Sequence, residues 1–154
     1  MIRTDKRLRL CTVLIVCNLI FIWGNSLLPA NVSQAISDAV MELLSRFFST
    51  GGPQGDTGSF LTRKLAHFTE FAALGLLLTW RFGMLGRKKY VPINWGVLAA
   101  CADETIQCFV PGRGPGVRDV AIDTAGVLTG MLLLTLGHIY FTKKKRRKQQ
   151  ENEP

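Results

Sequence analysis

Four long apolar runs, separated by short polar and basic stretches, set the plan of this chain. The first, Leu10 to Trp23, follows Arg3, Lys6, Arg7 and Arg9 and continues more weakly to Leu28. It predicts a helix over about 8–28, and the other runs predict helices over about 61–82, 91–110 and 120–141. Each is about 20 residues long, which at 1.5 Å per residue matches a hydrocarbon core of roughly 30 Å. Between the first and second runs the pattern changes. Ile36, Val40, Leu43, Leu44 and Phe47 recur at spacings of three and four, with Asp38, Glu42, Ser45 and Arg46 on the other face and Ser33 placed to cap the start. That periodicity predicts an amphipathic helix over about 33–48, lying at the membrane surface or capping the bundle. Gly51 to Ser59 reads as a flexible linker.

The expected fold is an all-α integral membrane domain over residues 1–142, a bundle of four transmembrane helices with an interfacial helix between the first and second. Residues 143–154 follow as a basic tail, with Gln149 to Pro154 expected to be disordered. Composition agrees, since 47% of the 154 residues are hydrophobic, and a soluble chain of this length could not hide four such runs. Ser33-Gln34-Ala35 mimics a signal-cleavage site, but the first run is longer than a signal core and reads as an uncleaved helix.

The net charge of +8 does not point to nucleic acid, because the basic residues cluster beside the apolar ends rather than over a face. There they set topology and meet anionic headgroups. The N-terminus, the loop after the second long helix and the tail hold 4, 4 and 6 Lys or Arg, against Arg46, Arg63, Lys64, Arg113 and Arg118 elsewhere. Both termini are therefore expected in the cytoplasm. Cys11, Cys17, Cys101 and Cys108 lie inside apolar runs without metal spacing and read as buried, reduced thiols.

Polar residues inside such runs are costly, about 2.5–3.5 kcal/mol for an isolated mid-membrane charge on insertion scales. The second long helix carries Arg63, Lys64, His67 and Glu70, and spacings of four and three put Arg63, His67 and Glu70 on one face. The third ends with Asp103, Glu104 and Gln107, and the fourth opens with Arg118, Asp119 and Asp123. The topology brings all three sets to the outer end of the membrane. Between the last two helices, the loop from Pro111 to Gly116 carries Arg113 just before a helix start, where free N–H groups and a guanidinium fork suit a phosphate or carboxylate.

Three readings of these residues stay open. They form a ligand site for an anionic lipid or cell-wall precursor; or a catalytic site, with His67 and Glu104 as proton donor or acceptor; or a structural network in which Arg63, Arg113 or Arg118 neutralises Asp119 and Glu104. The sequence calls for no cofactor and defines no metal set, because His-x-x-Glu is not a metalloprotease spacing. Gly126-x-x-x-Gly130 permits close helix approach, within the bundle or between two copies as a homodimer. His138 lies apart, near the cytoplasmic end, and Trp23, Trp80 and Trp95 read as anchors or packing residues.

Three motifs in order give the chain a resemblance: Arg63-Lys64-Leu65-Ala66-His67-Phe68-Thr69-Glu70-Phe71, Asp103 to Arg113, and Arg118 to Gly126. With the segment Ser26 to Pro29, they make it similar to the VanZ-like membrane protein family over about residues 21–130. One position departs, since that family usually carries Asn where this chain has Asp123. The resemblance implies a multi-pass protein of the bacterial plasma membrane, associated with resistance to teicoplanin-type glycopeptides. It implies no particular reaction.

Overall fold

The computed structural model describes residues 2–48, 56–114 and 116–151. Among them the fold is all helical, with α1 at Ile2–Ser26, α2 at Ala30–Phe48, α3 at Asp56–Met84, α4 at Tyr90–Gln107 and α5 at Val117–Glu151. Where these helices begin and end follows from local chemistry. Pro29 closes α1 and opens α2, its carbonyl accepting the N–H groups of Val32 and Ser33 at 3.1 and 3.0 Å. The amphipathic helix thus starts ahead of Ser33, because proline cannot continue one helix but is well placed at the head of another.

Helix α3 starts at Asp56, five residues before the expected Leu61, so the end of the expected linker is helical. The rest of that linker, residues 51–55, lies outside the described residues. The helix ends where Gly86 takes a φ of 63°. There the Arg87 N–H reaches the Phe82 carbonyl and the Gly86 N–H reaches Gly83, the pairing of a glycine-terminated helix end. Helix α4 stops at Gln107 rather than near residue 110. The next residues form tighter turns, Phe109 N–H to Ile106 and Val110 N–H to Gln107, because Pro111 disfavours helical geometry at Val110. The tail differs most from expectation. Lys143 to Glu151 continue α5 without a break, since Lys, Arg, Gln and Glu are good helix formers and no Gly or Pro intervenes. Gln149 is therefore helical, and residues 152–154 lie outside the described residues.

Helix α3 sits at the centre and packs on α1, α2, α4 and α5, most extensively on α5. That contact is close because it is built on glycine. A Cβ at Gly126 or Gly130 would run into the backbone of Phe68 or Ala72 on α3, and one at Gly75 would run into Val127 on α5. The expected small-residue pair is thus used within the chain, and both residues are buried there. Around this contact Ile15 and Ile22 of α1, Phe71, Leu74 and Leu78 of α3, Ala100 of α4 and Val127 of α5 form the core. Trp23 and Trp80 pack against it, whereas Trp95 is exposed.

The outer surface is apolar. Val13, Ile20 and Phe21 of α1, Leu65 of α3, Leu98 of α4, and Leu132 and Leu136 of α5 are all more than half exposed. An apolar exterior of this extent is what a bilayer-facing surface requires. Among the described residues two helices are long and apolar enough to cross a membrane by themselves, Asp5–Ser26 and Val117–Gln150. Helices α3 and α4, also expected to span, fall short on that measure. The cysteines also differ from expectation. Only Cys11 is buried; Cys17, Cys101 and Cys108 face outward, and all four are free.

Candidate functional site

The site is assembled from ends of helices. The end of α1, the first third of α3, the end of α4 and the start of α5 meet at one end of the bundle, joined by the 108–116 loop. Spacings of three and four aim each helix's polar groups inward: Lys64, His67 and Glu70 from α3; Asp103, Glu104 and Gln107 from α4; Asp119 and Asp123 from α5. Asp103, Glu104, Gln107 and Asp123 are buried, as is Ser26 at the end of α1.

Hydrogen bonds tie the parts together. Lys64 pairs with Asp119, joining α3 to α5. Glu104 Oε2 accepts the Gly116 N–H at 2.9 Å, so a side chain of α4 caps the start of α5. Gln107 Nε2 donates to Asp103 Oδ2 at 2.8 Å and to Ser26 Oγ at 3.2 Å. Asn25 Nδ2 donates to Glu70 Oε1 at 2.9 Å, and Arg113 Nη2 donates to the Asn25 carbonyl at 3.1 Å. The last bond holds the loop against α1. Burial moves the Arg113 guanidinium below its ordinary pKa; the Arg63 charge acts in the same direction, and Asp103 and Glu104 oppose it. Gly112, at a φ of 75°, supplies the left-handed turn that brings Arg113 round.

Within this frame a small cleft of about 20 Å³ is lined by Lys64, His67, Glu104, Gln107, Asp119, Ile122 and Asp123. His67 Nδ1 lies 3.7 Å from Asp103 Oδ2. One potential ligand atom from each of His67, Asp103 and Asp123 falls within 4.8 Å of the others. Among the described residues, Asp103 Oδ1, Asp123 Oδ2 and Glu70 Oε2 are buried with no hydrogen-bond partner.

Residues 10–138 match the family model described as VanZ/LLP1. The chain belongs to the VanZ/LLP1 family. No curated protein and no solved structure matches it. Membership of this family, with two helices apolar enough to span, marks a membrane protein.

In this VanZ/LLP1 chain the structure gathers His67, Glu70, Asp103, Glu104, Gln107, Asp119 and Asp123, with Arg113 at their edge. Arg118 is exposed and makes none of the site's bonds, while Arg63 acts on it only through its charge near Arg113. The expected neutralising arginines give way to Lys64 on Asp119 and a backbone N–H on Glu104. The reason is register. Arg63 and Lys64 flank His67 on opposite sides of α3, about 40° and 60° round from it; the Lys64 side meets Asp119 of α5, and the Arg63 charge falls near Arg113. Which side faces α5 depends on the packing of the two helices. Asn25 and Ser26 had no signal in the sequence, because their role depends on where α1 ends against α3 and α4. The grouping of His67 with Asp103 and Asp123 was also out of reach, since the three come from three helices.

Proposed function

We propose that this VanZ/LLP1 protein crosses a bacterial plasma membrane four times, by α1, α3, α4 and α5, with both termini in the cytoplasm and its polar site at the outer face. There it binds an anionic envelope lipid or cell-wall precursor and so lowers susceptibility to teicoplanin-type glycopeptides. One observation carries this reading: ionisable groups from three helices converge on one cleft at a single end of an otherwise apolar bundle. Groups that needed only to neutralise one another would leave few oxygens over, yet three buried carboxylate oxygens have no partner among the described residues. The cleft's 20 Å³ admits a body the size of water. A lipid therefore binds at its mouth, with only the tip of its headgroup inside. Arg113 supports such binding, because a guanidinium offers five donors and one is engaged by the Asn25 carbonyl.

The test is purification in nanodiscs of native envelope lipid, with bound species read by mass spectrometry. Wild type is expected to enrich an anionic lipid, Arg113→Lys to retain part of it and Arg113→Ala to lose it. Wild type that enriches no lipid over an unrelated four-helix protein contradicts the reading. The His67–Asp103 pairing supports a second reading, a hydrolase or transferase acting on the same lipid. A product formed by wild type but not by His67→Ala, at unchanged lipid occupancy, would replace binding with catalysis.

A further inference from the structure

Two acids of the site, Asp103 and Asp123, are buried with one carboxylate oxygen each left over. Asp103 is 0% and Asp123 1% exposed, yet Asp103 Oδ1 and Asp123 Oδ2 have no hydrogen-bond partner among the described residues. Lys64 pairs with Asp119, and Gln107 serves the other oxygen of Asp103. Two buried carboxylates that each keep an unpartnered oxygen are unfavourable, and such groups are normally paired or bound to metal. His67 completes the set, its Nδ1 3.7 Å from Asp103 and its donor atom within 4.8 Å of both acids.

We propose that His67, Asp103 and Asp123 hold one divalent first-row metal cation, Zn²⁺ or Mn²⁺. Imidazole nitrogen with carboxylate oxygen is a donor set for such ions, whereas an all-oxygen set would favour Mg²⁺ or Ca²⁺. Ligand atoms about 2.0–2.2 Å from one ion lie roughly 3–4 Å from each other, so separations of up to 4.8 Å need to close by about 1–2 Å, within the reach of side-chain rotation. His67 and Asp123 line the cleft, whose water-sized space takes the ion and leaves one coordination position toward the mouth. That position accepts a phosphate oxygen. This last step rests on the anionic-ligand reading above; the ion itself does not.

The experiment uses the full chain in detergent, stripped with chelator and titrated with Zn²⁺, Mn²⁺ and Mg²⁺ in the absence of lipid. Metal content and calorimetry are expected to show one Zn²⁺ or Mn²⁺ per chain, held more tightly than Mg²⁺. His67→Gln and Asp123→Asn should each weaken it at least tenfold, while His138→Gln leaves it unchanged. Wild type without stoichiometric ion, or equal affinity in Asp123→Asn, overturns the proposal. Should the variants fail to fold, wild type alone decides through pulsed electron paramagnetic resonance of bound Mn²⁺. A histidine nitrogen coupling supports the site, and its absence overturns it. Short-chain phosphatidic acid and inorganic phosphate are then added separately. A change in the Mn²⁺ signal with the lipid and not with free phosphate supports a headgroup ligand. No change with either, with the ion in place, overturns the phosphate step and leaves the ion site standing.

Discussion

Asp119 and Asp123 lie one turn apart on α5, and their surroundings are opposite. Asp119 is about a quarter exposed and pairs with an equally exposed Lys64, whereas Asp123 is sealed and one of its oxygens meets no donor. Asp119→Asn therefore removes a link between α3 and α5 and should lower the unfolding temperature of metal-free protein, at a cost of roughly 1 kcal/mol. Asp123→Asn relieves an uncompensated buried acid and should leave that temperature unchanged or raise it. Thermal unfolding in detergent checks both, and a larger loss from Asp123→Asn would contradict the assignment. At this scale the sequence was informative about residue type and silent about partner. It marked both acids as too costly to be idle in an apolar run. It could not tell which was paired, because the answer depends on where Lys64 lies across the α3–α5 contact.

The helices themselves were legible, since apolar runs and a period of three to four residues survive any tertiary context. Their ends were less so. Pro29, Gly86 and Pro111 each acted as chemistry requires, but the start of α3 and the helical tail had no comparable punctuation. The Gly126-x-x-x-Gly130 pair could be read as a close-contact surface, and only the structure shows α3 as its partner. The consequence is specific. Gly130→Leu should force α3 and α5 apart and cost about 1–3 kcal/mol. Gly137→Leu, on the same helix with nothing within 4 Å of its added Cβ, should be neutral or stabilising by up to about 1 kcal/mol through helix propensity. Unfolding temperatures of the two variants compare them directly, and equal losses would mean that the α3–α5 contact is not glycine-dependent.

For the whole molecule, the placement of the site depends on which end of the bundle faces out. The polar cluster lies at the end formed by the α1–α2 corner, the start of α3 and the α4–α5 loop, while most Lys and Arg lie at the other. Four precede the first apolar run, four fall between Arg81 and Lys89, and six lie in the tail. The charge distribution was readable from sequence because it needs only counting. That the site's residues truly meet needed the packing of α3 against α4 and α5. The measurement that most directly tests an outward-facing site is a set of paired reporter fusions in the otherwise intact chain, one reporter active only outside the membrane and one only inside. Fusions after Gly114 should be active with the outside reporter, and those after Arg87 and Lys148 with the inside reporter. A Gly114 fusion active inside would place the cleft on the cytoplasmic side and contradict the account of what it binds.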